Sequence, residues 1–350
     1  MKHTTFFVWT LLAATLLTST PATGQQFGPW SAPVNVGPPV NTILPEYQPF
    51  ITKGGLSLYF SLLEGFGAPQ TTPQDIWVAK RSSETEPWGT PQRLGPEINI
   101  PGPNRTEGQP FVTIDGHYLY FSSNRPGGFG RGDIYVSKRQ NKREDFGPMG
   151  WQQPVNLGSG VNSPANDQAA FVYEDEATGV TYLYFASDRS GNQDLYVSTL
   201  QPDGTFGSAV PVPELVFGTV NTMSTETQVT ISRDGLTMYF ISNRPGSAIH
   251  PPTEFGPGGQ PAEDIWVSTR ASTTDPWGVP ENLDVVNAMA GGPRVNSDYH
   301  DGRPSLSFDG TALYFFSAFR RETPTGPDGN VGSPFFDIWV TTRTKLTGQD

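Results

Sequence analysis

Five acidic residues recur at one place in a repeated pattern: Glu46, Glu107, Asp167, Glu226 and Asp301. Each follows an asparagine within a few residues, at Asn41, Asn99, Asn162, Asn221 and Asn296. If the repeat winds round one axis, these like charges gather, and a cation, protons or a ligand has to compensate them. Three chemistries suit such a ring. Carboxylate and Asn oxygens would hold calcium or another hard cation. Glycoside hydrolysis needs one acid with a raised pKa and one ionised partner, with Glu107, Glu226 and Asp301 as candidate catalytic residues and Glu46 as a modulator. Plain recognition would use Glu46, Tyr47, Asp167, Tyr299 and His300, with loop aromatics Phe66, Phe129, Phe255 and Phe335 as stacking surfaces for sugar or peptide. The competing structural reading is that each carboxylate accepts backbone N–H bonds from its own loop.

A second set of charges is basic. Arg125, Arg189, Arg244 and Arg320 end one strand, and Asp133, Asp194, Asp264 and Asp337 open the next. The gap between them varies while the pair persists, so contact across the hairpin ladder is expected. Such an ion pair would tie down the intervening loop. Alternatively, arginines on that rim would grip an anionic ligand, since the guanidinium suits bidentate carboxylate recognition.

These residues sit in a repeat that can be counted. DIWVAKR (75–81), DIYVSKR (133–139), DLYVSTL (194–200), DIWVSTR (264–270) and DIWVTTR (337–343) mark one strand, C, at spacings of 58, 61, 70 and 73 residues. Before each lies a strand B: LYFSL, LYFSS, LYFAS, MYFIS and LYFFS. A strand A, marked by QPFIT, QPFVT, QAAFV, QVTIS and RPSLS, precedes B across a short Gly turn. A fourth element, D, starts with an aromatic: WSAPVNV, WGTPQRL, WQQPVNL, FGSAVPV and WGVPENL. Periods of this size belong to solenoids or propellers.

The ends decide between them. The chain starts with a D element at Trp30 and stops just after a C element at Arg343, so the orphan D completes the last A–B–C set. Closure removes the exposed first and last sheet edges that would invite aggregation. The expected fold is therefore all-β, a single five-bladed β-propeller of four antiparallel strands per blade, closed by the N-terminal strand. The blades fall at 46–94, 107–157, 167–212, 226–283 and 301–343 plus 30–36. In this order the D–A and B–C loops share one face, which holds the long loops, whereas the A–B turns on the other face are minimal. Long loops within a compact repeat are often kept for binding.

The hairpin LYFSSNRPGG…DIYVSKR resembles the WD40-like (PD40) repeat of the TolB-type propellers, and the likeness covers nearly the whole chain after residue 24. It implies an exported bacterial protein that serves protein or envelope interactions. Blade 1 departs with SLLEGFG and blade 5 with SAFRRET.

Composition agrees with many turns and short strands: 39 Gly, 34 Pro and no Cys. Residues 1–24 have Lys2 and His3, an apolar run FFVWTLLAATLL, and Ala22 and Gly24 at small positions, the layout of a cleavable signal for periplasmic or extracellular export. That run is too short to span a bilayer, so no membrane span is expected. With 22 Lys+Arg against 34 Asp+Glu the chain is acidic, which argues against nucleic acid. No GxSxG, HExxH or Walker A pattern occurs. A monomer is expected. The first functional expectation is a binding module for a carbohydrate, or for an envelope or peptidoglycan-associated protein, on the long-loop face. A polysaccharide-active enzyme using the axial carboxylates is the alternative.

Overall fold

The computed structural model describes residues 25–64, 73–102, 104–216, 219–249, 251, 259–318, 320 and 336–346. Residues 1–24, expected to be an export signal, and the loop residues Phe66, His250, Phe255 and Phe335 lie outside the described residues.

Five four-stranded antiparallel sheets form a five-bladed propeller. The chain opens with β1 (Val34–Asn35). Blade 1 is β2 (Glu46–Ile51), β3 (Ser57–Leu63), β4 (Gln74–Lys80) and β5 (Gln92–Arg93). Blade 2 is β6 (Glu107–Val112), β7 (Tyr118–Ser123), β8 (Asp133–Lys138) and β9 (Val155–Asn156). Blade 3 is β10 (Asp167–Glu174), β11 (Thr181–Ser187), β12 (Asp194–Thr199) and β13 (Val210–Pro211). Blade 4 is β14 (Glu226–Ile231), β15 (Thr237–Ser242), β16 (Asp264–Thr269) and β17 (Glu281–Asn282), followed by a short helix α1 (Leu283–Met289). Blade 5 is β18 (Asp301–Leu306), β19 (Ala312–Ala318) and β20 (Phe336–Thr342), completed by β1, which pairs Val34 with Val340. The orphan D element therefore closes the ring as its position in the sequence required.

The strands are short because the core lies between blades rather than at one centre. Leu, Phe and Ile of strands B and C, such as Leu119, Phe121 and Ile134, are fully buried, and each hydrophobic cluster joins neighbouring blades. A repeated clamp anchors the outer strand. The arginine that ends strand C lies over the aromatic of element D, Arg139 at 4.2 Å from the Trp151 ring and Arg270 at 4.2 Å from Trp277. It also donates to the carbonyl of the A–B turn glycine, Gly116 or Gly235.

Strand A carries one irregularity in every blade. Its third residue, at Gln48, Gln109, Ala169, Gln228 and Arg303, is left-handed with φ between 48° and 59°, at the break in ladder register. The expected QAAFV strand mark is thus shifted by one residue, with Ala169 rather than Gln168 at the bulge. A non-glycine residue there is strained by about 1 kcal/mol. The bulge turns the side chain across the blade boundary. Gln48 Oε1 accepts from Gln109 N at 3.1 Å, and Gln109 Oε1 accepts from Ala169 N at 3.0 Å. Ala169 has no side-chain amide to continue the chain of bonds. Among the described residues no helix is long and apolar enough to cross a membrane.

Candidate functional site

The five carboxylates stand at the first residue of each strand A, and none of them is exposed. Four fold back onto their own D–A loops through a hydroxyl residue four positions earlier. Asp167 accepts from Ser163 N (2.6 Å) and Oγ (2.8 Å), and Glu226 from Thr222 N (2.8 Å) and Oγ1 (2.7 Å). Asp301 does the same with Ser297 and Glu46 with Thr42. These bonds cap the loops. Among the described residues no group of three or more His, Asp or Glu side chains could hold a metal ion. Calcium at the axis, one of the three chemistries considered, finds no such ligand group among the described residues.

Glu107 differs. The position four residues earlier is Pro103, which has no hydroxyl. Glu107 accepts from Ser123 Oγ at 2.9 Å, and its other oxygen, Oε2, has no hydrogen-bond partner. Burial pushes its pKa up to about 7 against the lowering influence of Ser123 and Arg125. Glu46 is also pushed up to about 7 by burial, and the charge of Asp337 adds to this. Burial raises Glu226 and Asp301 as well.

The arginines choose a different partner from the one expected. Arg244 lies 3.1 Å from Glu226, Arg125 lies 3.7 Å from Glu107, and Arg189 pairs with Asp167. None of the three salt-bridges the aspartate that opens strand C. Their guanidiniums also reach D–A loop carbonyls: Arg125 to Ile98, Arg189 to Val161, Arg244 to Val220, and Arg320 to Val295. Each is sandwiched on strand aromatics, as Arg244 is at 5.0 Å from both Phe240 and Trp266. Through these bonds the arginines staple the D–A loop to strand B. The strand-C aspartates serve their own loops. Asp133 accepts from Phe129 N and from Asn156 Nδ2, and Asp264 from Ala248 N and Asn282 Nδ2.

The asparagines are structural too. Asn99 accepts from Ile76 N and donates to Ile76 O, both at 2.9 Å, imitating a strand partner. Asn162 repeats this on Ile134, Asn221 on Leu195, Asn296 on Ile265 and Asn41 on Ile338.

At the rim, Tyr47 packs on Phe336 with ring centroids 5.8 Å apart and edge-on to Phe316, so it joins blade 1 to blade 5. Tyr299 and His300 are half-buried at the entry to blade 5. Sequence reasoning missed their neighbour Glu263, which precedes Asp264. Its backbone N–H donates to His300 Nδ1 at 3.2 Å, its carboxylate lies 3.9 Å from that ring, and burial raises its pKa. Phe129 is half-exposed.

Arg303 was also missed, because RPSLS reads as an ordinary strand. It is buried, with its guanidinium donating to Gln109 O and Pro110 O at 3.0 Å each, from blade 5 to blade 2. Desolvation lowers its pKa to about 9. Below it, on the A–B turn face, the inner strands enclose a cavity of about 70 Å³ lined by Phe50, Phe111, Phe171 and Ile231.

No family model matches the sequence, and no curated relative does. Solved structures similar in fold include the catalytic domain of a GH62 α-L-arabinofuranosidase from Coprinopsis cinerea, 13% identical, with 91% of this chain and 98% of that chain covered and a TM-score of 0.54. The α-L-arabinofuranosidase of Podospora anserina, solved with cellotriose, is 12% identical over 91% and 98% with a TM-score of 0.50. A GH62 hydrolase solved with xylotriose is 11% identical over 90% and 97% with a TM-score of 0.50. At such identity the likeness shows the five-bladed fold. It corrects the first functional expectation, a binding module for a carbohydrate or an envelope partner, because the solved structures matched here are of glycoside hydrolases.

Proposed function

We propose that the protein is a polysaccharide-active enzyme of the glycoside-hydrolase type, acting on the D–A/B–C end of the propeller axis. The observation that carries this reading is the contrast between two neighbouring carboxylates. Glu107 has a pKa of about 7, lacks a loop cap and keeps one oxygen unpartnered, so it holds a proton near neutral pH. Asp167 in the next blade is paired with Arg189. An acid that bears a proton in one blade and a carboxylate paired with arginine in the next match the two roles that glycoside cleavage needs, provided both reach one substrate. In this assignment Glu107 protonates the leaving oxygen, Glu226 and Asp301 complete the acidic ring, and Glu46 tunes it.

The fold of the arabinofuranosidases makes arabinofuranosyl-bearing polysaccharides the first substrates to try. Because the acids lie beneath their loops, catalysis requires the D–A loop over Glu107 to move aside when substrate binds. We also infer export, from the N-terminal segment, and a WD40-like repeat of the TolB type, from the LYFSSNRPGG and DIYVSKR hairpin. The reading is tested by incubating the protein with arabinan and arabinoxylan and measuring released sugar. Glu107→Gln should remove turnover by about three orders of magnitude while substrate binding persists.

A further inference from the structure

We propose that Asp264 and Asp301 form a pH-operated latch between blades 4 and 5, firm while the pair holds a proton and loosened when both carboxyls ionise. It does not rest on the hydrolase reading. Asp264 opens β16 and Asp301 opens β18, and Asp301 N donates to the carbonyl of Glu263 at 2.8 Å, which sets the two strand starts side by side. Both aspartates are buried, and each fastens a loop through one oxygen. Asp264 Oδ2 accepts from Ala248 N of the B–C loop at 3.1 Å and from Asn282 Nδ2 at 2.7 Å. Asp301 Oδ2 accepts from Ser297 N of the D–A loop at 2.6 Å and from its Oγ at 2.8 Å. The other oxygen of each, Oδ1, is sealed from solvent and has no hydrogen-bond partner. A charged oxygen in that position is costly, and a proton relieves it.

The neighbouring boundaries carry the charge differently. Asp167 pairs with Arg189, and Glu226 lies 3.1 Å from Arg244 and accepts from Ser242 Oγ. At blade 5 both supports are displaced. Arg320 bonds Val295 O, and among the described residues no salt bridge joins it to Asp301, which feels only its charge. Ser317, opposite Asp301 in the ladder, donates to Ser297 Oγ at 3.3 Å instead. The remaining charged groups supply no substitute. Asp284 adds to the repulsion on Asp264, and Arg294 is taken by Asp284 at 3.0 Å and Asp298 at 2.6 Å. Glu263 and His300, which precede the two aspartates, lie 3.9 Å from each other, and burial raises Glu263 as well. Burial, with repulsion from Asp301, pushes Asp264 up to about 7, and burial also raises Asp301. The folded boundary therefore binds these protons more tightly than an opened one, so the latch is firm in acid and weakens as pH rises through about 7.

The test is hydrogen exchange of the full protein at about pH 5.5 and about pH 8, corrected for the intrinsic rate, at the amides of Ala248 and Ser297. Ser163 is the reference, because its amide donates to Asp167, which Arg189 pairs, and it reports any opening of the whole ring. Protection of Ala248 and Ser297 should fall about tenfold or more between the two conditions, and that of Ser163 less than about twofold. Asp264→Asn and Asp301→Asn, each checked by circular dichroism, should remove most of the fall, since a neutral side chain has no proton to lose. The contrast between Ser297 and Ser163 in wild type needs neither variant. No fall at Ser297, an equal fall at Ser163, or a full fall retained in both variants would overturn the proposal.

Discussion

Blade 1 and blades 2 to 4 solve the same problem differently at the mouth of strand A. In blades 2 to 4 the buried carboxylate meets an arginine at the end of strand B, and Ser123, Ser187 or Ser242 lies opposite it in the ladder. In blade 1 the residue opposite Glu46 is Leu62, and Glu64 stands at the arginine position. Glu46 therefore has its Thr42 cap but no cation, and burial with repulsion from Asp337 pushes it to about 7. Burial raises Glu46 and Glu107 alike to about 7, so an arginine at 3.7 Å offsets only part of the cost of burial, and the closer pair at Glu226 is the firmer staple.

Breaking the staple should have the largest effect. Arg244→Ala strands Glu226 in the interior and frees the Val220 and Thr219 carbonyls, which should cost about 3–5 kcal/mol in denaturant unfolding. Glu64→Ala in blade 1 should change stability by less than about 0.5 kcal/mol, because no staple exists there to break.

Next comes the titration of Glu46. Its folded pKa lies above its unfolded value, so the folded state binds the extra proton. Stability is greatest below about pH 4.5, falls as pH rises towards 7, and is flat above, a loss of about 3 kcal/mol. Glu46→Gln should remove that share of the decline, seen as a higher melting temperature than wild type at pH 8 and little difference at pH 4.5. An unchanged pH slope in the variant would place the titrating group elsewhere.

Grafting the staple into blade 1 sharpens the comparison further. Leu62→Ser with Glu64→Arg should lower the Glu46 pKa and stabilise the protein at pH 8 by about 1–2 kcal/mol, read from NMR titration and melting curves. The smallest effect is expected at the blade boundary. Gln48→Ala removes the acceptor for Gln109 N, and because Ser61 Oγ also lies 3.2 Å from that N–H, the cost should be only about 1 kcal/mol by thermal melting.

The repeat and its closure were legible because strand alternation and the orphan element at Trp30 are local signals in order along the chain. The arginine partner was not. Strand B lies between A and C, so Arg244 can reach Glu226 on one side or Asp264 on the other, and the sequence is symmetric in that choice. The carbonyls of Thr219 and Val220 settle it, and their position depends on how Asn221 hooks the loop onto Leu195. Asn296 and its counterparts looked like ligands for the same reason, since an amide that pairs with a backbone and one that binds a cation use the same atoms. Helix α1 had a weak signal in Asn282, which caps Asp284 N, but its anchor is remote: Asn287 bonds both the N–H and carbonyl of Trp30. Arg303 carried no signal at all, because its partners are carbonyls nearly two hundred residues away in blade 2.

The central claim is that Glu107 is an acid in an enzyme. Its most direct test is the pH profile of sugar release from arabinan and arabinoxylan by wild type and by Glu107→Gln, with folding checked in parallel. The account predicts release by wild type that declines above about pH 7, and turnover about three orders of magnitude lower in the folded variant. No release by wild type from any polysaccharide, or equal release by the variant, would contradict it.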